Sequence, residues 1–231
     1  MGDVCSQARG VGVTDGSASG VCAADDGAVS DLRVALAELE IADDPACWEE
    51  LGFVLSDRRV LIGGVAIRLG VPGSGIVGWS LHSGCPAVAI DGLPRPAIST
   101  VVPPVGEAHP NGARSIDHVV ILTPDFDRTA AALARAGMPL GRIARNRGVR
   151  MGFRRLGAAV LELVQAGTGE TGPARFWGLA IMVADLDALA ARLTYRLGPI
   201  RPAVQPGHRI ATLTAAAALT TKVAVMDATD R

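Results

Sequence analysis

Lysine and tyrosine each occur once in this 231-residue chain, at Lys222 and Tyr195, beside only four phenylalanines and three tryptophans. So few rings exclude a groove of stacking aromatics interleaved with cations, the usual surface of a single-strand nucleic-acid binder. An excess of either charge is also missing. The 22 basic and 23 acidic residues leave a formal charge of −1, so bulk electrostatics draws the chain neither to nucleic acid nor to an anionic membrane. No apolar run approaches the ~18–20 residues of a membrane helix. Cys5, Cys22, Cys47 and Cys85 show no CxxC spacing, which argues for reduced thiols and a cytoplasmic protein rather than a disulfide framework. The first thirty residues lack the basic start and apolar stretch of a secretory signal, and their Gly, Ser, Ala and Asp content predicts a flexible tail over 1–31. Arginine, alanine, glycine and valine are abundant instead. They describe a globular chain with apolar residues enough for a sizeable core, and they fit a GC-rich bacterial genome.

Residues 116–165 reappear at 176–225 without a gap. With a shift of 60, Ile121 meets Ile181, Asp125 meets Asp185, Asp127 meets Asp187, Leu133 meets Leu193 and Pro139 meets Pro199. A fixed period decides the architecture before any single residue does. Each copy opens on a β-type run, Ile116–Leu122 or Phe176–Val183. Each then offers aspartates where a helix starts, since a carboxylate accepts the free N–H groups of the first turn. An alanine-leucine helix follows and ends near Gly137-Met-Pro139 or Leu197-Gly-Pro199. Three alternating runs close each copy, at 141–147, 149–156 and 158–165, then 200–205, 208–215 and 218–226. The unit reads β-α-β-β-β twice, modules 114–166 and 174–227 of one α+β domain over 114–227.

The region before the repeat reads as an abbreviated module over 32–83. Ala35–Ile41 alternates like a strand, and Asp43-Asp44-Pro45 starts a short helix through Trp48 to Gly52. Two runs around Gly63-Gly64, 59–62 and 65–69, predict a hairpin, and Ile76–His82 predicts another strand. Trp48 and Trp79 then belong to this module's core. The alternative is that these strands extend the edge of another sheet. Residues 84–113, with six prolines, read as a linker holding one short strand at 87–91.

Paired β-α-β-β-β modules, opened by Ile116-Asp-His118-Val-Val-Ile-Leu-Thr-Pro-Asp125, resemble the vicinal oxygen chelate superfamily of glyoxalases, extradiol dioxygenases, fosfomycin-resistance transferases and bleomycin-binding proteins. The resemblance covers 115–226 well and 33–83 loosely. It implies a strongly curved, mostly antiparallel sheet around a cavity. It also implies a divalent metal held by the first and last strand of each module. By position those four places are His118, Glu162, Gly178 and Lys222. Two suit a metal and two depart from the pattern, so His118 and Glu162 form an incomplete site.

Alternation puts Ile116, His118, Val120 and Leu122 on one face, joined by Val160, Glu162 and Val164. In the second copy Phe176, Gly178, Ala180 and Met182, then Thr220, Lys222 and Ala224, take the matching face. With Met151, Phe153 and Leu213 they outline an apolar pocket with a few convergent polar groups, as a small organic ligand requires. Catalytic zinc or non-haem iron needs three protein ligands, and His118 with Glu162 supplies two. His208 and Glu107 are the remaining candidates, one at a strand start and one in the linker, both better suited to surface or capping roles. Alternatively Lys222 stands opposite Glu162 and balances its charge without metal, making Glu162, Lys222 and His118 the catalytic set. The bland readings are a lysine reaching solvent and a satisfied core histidine.

Other candidates carry less. Gly70–Gly75 lacks a phosphate loop's strand-to-helix setting, and Ser80 and Ser83 near His82 lack a nucleophile elbow. The arginines at 142, 145, 147, 150, 154 and 155 read as a solvated strand face, and Trp177 as a core anchor opposite Gly178. Two functions stay open. One is a lyase, isomerase or dioxygenase acting on a small molecule. The other is a metal-free protein that binds a drug or metabolite. An unpaired sheet edge would also allow a homodimer.

Overall fold

In a computed structural model the described residues are 34–82, 89–100, 108–146, 148–167 and 169–228. The tail, Cys5, Cys22, Cys85 and Glu107 lie outside them. The repeat forms one eight-stranded sheet. Its first module is β6 (Ala113–Thr123), α2 (Phe126–Arg135), β7 (Arg142–Asn146), β8 (Val149–Leu156) and β9 (Ala159–Gln165). Its second is β10 (Arg175–Val183), α3 (Leu186–Leu193), β11 (Arg201–Pro202), β12 (His208–Thr212) and β13 (Lys222–Ala228). The strand order is β11-β12-β13-β10-β6-β9-β8-β7. The two opening strands, β6 and β10, pair antiparallel at the centre, and each closing strand lies parallel to its own opening strand. This is the curled mixed sheet expected of two βαβββ modules. The last strand starts at 222 rather than 218, because a 3₁₀ turn over Ala215–Ala217 ends on Ala218 in the left-handed conformation, which breaks the extended run there.

Both helices form for the reasons their sequences suggest. Asp125 accepts the Arg128 N–H and Asp185 the Ala188 N–H, each closing the first turn. Phe126, Thr129 and Leu133, or Leu186, Leu189 and Leu193, recur at helical spacing and are buried against the sheet. They meet Val119, Ile121, Leu161 and Leu163 from the first module and Leu179, Ile181, Val223 and Val225 from the second. Each such side chain removed from water contributes about 1.5–3 kcal/mol.

Three register shifts interrupt the strict alternation between β6 and β10, and two of them bear on the concave face. Opposite β10, the register passes from Ile116 to His118 and skips Asp117; opposite β6, it passes from Phe176 to Gly178 and skips Trp177. A bulge adds one residue to a strand and reverses which face its neighbours occupy. Ile116 therefore joins the helix-side core with Val119 and Ile121, not the face of His118. Phe176 does the same, and Trp177 packs with Val120, Leu122 and Val164 on the concave face.

The N-terminal segment builds its own five-stranded sheet, so it does not extend the larger one. It contains β1 (Ala35–Ile41), α1 (Pro45–Glu50), β2 (Arg59–Ile62), β3 (Val65–Leu69), β4 (Ile76–His82) and β5 (Ala97–Ser99), in the order β2-β3-β1-β4-β5. Here β3, not β4, lies parallel to β1, while β4 runs antiparallel to it and carries β5 parallel. Those are the directions of β8-β9-β6-β10-β13. The small sheet thus reproduces the middle of the large one, with most of the second half pared away. The short strand expected at 87–91 is absent from its described part, where only a bridge between Ile90 and Leu93 forms.

The small sheet lays Leu36, Leu39, Ile41, Trp48, Ile67, Trp79 and Leu81 into the same core as the helices. Its outer face carries a ladder of Glu38 and Glu40 with Arg59 and Arg68. Gly63, at φ +57°, turns the β2–β3 hairpin so close to β6 that a Cβ there would lie 2.7 Å from the Arg114 carbonyl oxygen. Asp44 caps α1, and the neighbouring Asp43 is spent elsewhere. Buried Asp43 accepts from the Thr220 and Thr221 N–H groups, the Thr220 hydroxyl and the Trp48 indole, at 2.6–3.3 Å. That carboxylate ties the N-terminal sheet to the chain just before β13. No helix among the described residues is long and apolar enough to cross a membrane.

Candidate functional site

The concave face follows from the strand register, because residues directly opposite one another share a face. One row across the sheet reads Lys222, Gly178, Val120, Glu162, Phe153, Arg142, and the next reads Thr212, Ala224, Ala180, His118, Val160, Arg155. His118 and Glu162 thus stand one strand and one row apart, and the side chains converge. Imidazole Nε2 lies 3.6 Å from Glu162 Oε2. The other ring nitrogen, Nδ1, lies 2.7 Å from Oδ2 of Asp117, which the β6 bulge turns toward its neighbour. Bonding to His118 holds the Asp117 carboxyl below its usual range, against the opposing effect of burial. An ionised carboxylate only accepts, so Nδ1 carries the hydrogen, and in the neutral ring the lone pair sits on Nε2, toward Glu162.

Glu162 is largely withdrawn from water, with 15% of its side chain exposed, and this desolvation pushes its carboxyl above the ordinary range; nearby His118 opposes the rise and Asp117 adds to it. The surroundings explain why. Val120, Leu122 and Val164 form a dry cluster on this face, flanked by Val149, Met151 and Trp177. A second cluster across the β6–β10 junction joins Ala180, Ile210, Ala224 and Met226 with Met182. Opposite Glu162, Phe153 lies under the Arg142 guanidinium, 5.8 Å from the ring centre.

The expected site residues divide cleanly. His118, Glu162, Val120, Met151, Phe153, Val160, Gly178 and Met182 share the concave face. Phe176 does not: it meets Trp79 edge-on at 5.5 Å on the helix side. Leu213 also packs on that side and bridges to Leu197, leaving Thr212 on the concave row. Lys222 begins β13, is exposed, and forms no ion pair with Glu162 among the described residues. The row explains this separation, since three strand spacings of ~4.8 Å lie between them along the sheet. Strict alternation sends Asp117 and Trp177 to the other face, so Asp117 is missing from the expected site and Trp177, expected as a core anchor, lines the concave face instead.

The four metal positions of the resembling family can now be tested. His118 and Glu162 supply two donors. Asp117 occupies the far ring nitrogen and does not converge with them. Gly178 offers none, and it is packed shut: a Cβ there would lie 2.0 Å from the Lys222 carbonyl oxygen and 2.8 Å from the Lys222 Cβ. His208 sits at the start of β12 with Nδ1 3.1 Å from the Pro206 carbonyl, away from Glu162. Among the described residues no three His, Cys, Asp or Glu side chains are grouped to hold a metal ion. The donors among the described residues therefore number two, fewer than the three that a resident divalent cation needs.

No family model matches the sequence, and no curated protein does. Solved structures similar in fold include methylmalonyl-CoA epimerase from Mycobacterium tuberculosis, 23% identical over 52% of this chain and 91% of that one, with a TM-score of 0.43. A Streptomyces coelicolor methylmalonyl-CoA epimerase variant in complex with 2-nitronate-propionyl-CoA is 23% identical over 50% of this chain and 95% of that one, at 0.41. A hypothetical protein of Bacillus halodurans is 16% identical over 51% and 96%, at 0.42. Its opening strands joined antiparallel and each closing strand beside its own opening strand give the curled mixed sheet that the resemblance to the vicinal oxygen chelate superfamily implies, and two of the four positions expected to hold metal are Gly178 and Lys222.

Proposed function

We propose that the concave face binds a small organic molecule and that His118 and Glu162 move a proton on it without a metal, as in a lyase or isomerase. One observation carries this reading. A largely buried carboxyl with a raised protonation range lies 3.6 Å from an imidazole nitrogen whose ring is anchored by Asp117. A carboxyl whose protonation range is raised, set beside an imidazole, is an ordinary means of giving and taking a proton at neutral pH. In the forward step Nε2 takes a proton from a substrate C–H or O–H, and Asp117 stabilises the imidazolium that results. Glu162 delivers its own proton to a second substrate atom, and transfer from imidazolium to carboxylate restores the pair. Dioxygenase chemistry finds no three-donor site among these residues. Lys222, exposed at the end of the row, takes no part.

The test uses protein dialysed against a chelator and a panel of small carbonyl-bearing carbon acids in D₂O, with C–H exchange followed by NMR. Expected is exchange above the uncatalysed rate with at least one compound, lost by roughly 10²-fold or more in Glu162→Gln and His118→Ala. Activity that vanishes with chelation and returns with a metal overturns the proposal. Binding of a panel member with no exchange, unaltered in His118→Ala, supports a binding protein instead.

A further inference from the structure

Arg142 and Arg155 project onto the concave face beside the acid–base pair, and nothing in the proposed proton transfer uses them. Arg142 is directly opposite Phe153, which is opposite Glu162; Arg155 is two residues along β8 from Phe153 and opposite Val160, itself opposite His118. Both guanidinium-bearing residues are exposed, and neither is in an ion pair among the described residues. Several other sheet arginines are paired, Arg150 with Asp127 and Arg209 with Asp187 and Asp227 on the helix side and Arg59 and Arg68 with Glu38 and Glu40 on the small sheet, whereas Arg145 and Arg154 of the helix side have no ion pair among the described residues. The concave strands give Arg142 and Arg155 no such counterpart. Their one free-standing acid is Glu162, which burial keeps toward its neutral form, and Asp117 is committed to His118. The result is an apolar trough with an acid–base pair on its floor and two unbalanced cations on the β7–β8 rim.

We infer that the molecule bound here is a small organic anion, its apolar body against Val120, Met151 and Trp177 and its carboxylate or phosphate between Arg142 and Arg155. Guanidinium groups suit this task because they present paired donors to both kinds of oxyanion. Phe153 beneath Arg142 holds one guanidinium in place by its ring face. The inference rests on the concave face being the binding site; it does not depend on proton transfer occurring there.

The test compares matched probes by calorimetry and by quenching of tryptophan fluorescence: phenylacetate and phenylpropionate against their primary amides, and phenyl phosphate against phenol. The intact protein is expected to bind each anion at least about tenfold more tightly than its neutral partner, a preference that shrinks as salt is raised. In the double variant Arg142→Gln, Arg155→Gln the ratio falls to about one. Arg145→Gln, which lies across from Arg150 on the helix side, leaves it unchanged. A larger ratio for phenyl phosphate than for the carboxylates assigns a phosphate group to the subsite, and the reverse assigns a carboxylate. Equal binding of anions and neutrals, no binding of any probe, or a preference that survives in the double variant overturns the inference. Glu162→Gln separates the two claims, since it abolishes exchange and keeps the preference for anions.

Discussion

On the helix side the two modules repeat each other closely. Asp125 and Asp185 cap their helices, and Arg150 and Arg209 reach back to Asp127 and Asp187, each at 2.8 Å. On the concave side the copies part. The first supplies His118, Glu162 and Phe153; the second supplies Gly178, Ala180, Ala224 and two methionines. Devices that hold the fold occur twice, and groups capable of chemistry occur once. A paired sheet needs both halves for its core, whereas one acid–base pair suffices for one ligand, so the second half is left to act as an apolar wall.

Putting the missing histidine back gives the severest test of that difference. Gly178→His drives a Cβ into the Lys222 backbone and should cost about 3 kcal/mol or more in denaturant unfolding, above the ~1–3 typical of overpacking. A stable Gly178→His protein that binds zinc would show the second half to be merely silent rather than closed.

Next in size is the joint that fixes the second module to the N-terminal sheet. Asp43→Ala strands the buried donors of Thr221 and Trp48 and the part-buried ones of Thr220, and should lose about 3–5 kcal/mol. Thr220→Val, which removes one of those donors with its hydrogen, should lose clearly less in the same measurement.

The helix-side arginines allow a finer contrast. Arg209 also holds buried Asp227, which accepts the Leu186 N–H, and residue 167 in the first module is a glycine. Burial pushes the Asp227 carboxyl up, but Arg209 and the Leu186 N–H outweigh it and hold it below its usual range. A lowered folded-state value gives stability that is present above the unfolded carboxyl range and is lost as pH falls through it, below ~4. Arg209→Ala should therefore lower the thermal midpoint more than Arg150→Ala. Asp227→Asn should flatten the acid limb of the stability curve; an unchanged limb would place acid sensitivity elsewhere.

Glu162 behaves in the opposite sense. Its folded-state value is raised by burial, so its contribution is fully present below the unfolded range near ~4 and is lost as pH climbs through the higher folded value. Glu162→Gln should give a modest gain in stability at neutral pH that disappears toward pH ~4. A loss at neutral pH would mean that the charged carboxylate is better solvated than its burial implies.

Much of this was legible in the chain itself. Aspartate caps, alanine-leucine helices and the 60-residue shift are local signals, and each arises from interactions within a few residues. The bulges at Asp117 and Trp177 are not local. A bulge exists only relative to the strand beside it, so alternation within Ile116–Leu122 could place His118 correctly while sending Ile116 and Asp117 to the wrong faces. The same failure exchanged Phe176 for Trp177. Lys222 misled for a related reason: the repeat located it by position, but only the register reveals how many strands separate it from Glu162. The role of β4 was equally hidden, because strand direction is a property of pairing.

The Asp43 clamp also sets a schedule. Its partner Thr220 follows 177 positions later. At ~5–20 residues per second, a ribosome needs about 9 to 35 seconds to deliver it after Asp43 has been made. Throughout that interval the carboxylate that will seal the molecule has none of its Thr220 and Thr221 donors, and the apolar face of the small sheet awaits the strands it will cover. For a chain in synthesis, closure waits until Thr220 and Thr221 have been made, and the charged ladder of Glu38, Glu40, Arg59 and Arg68 is what the small sheet has to show to water.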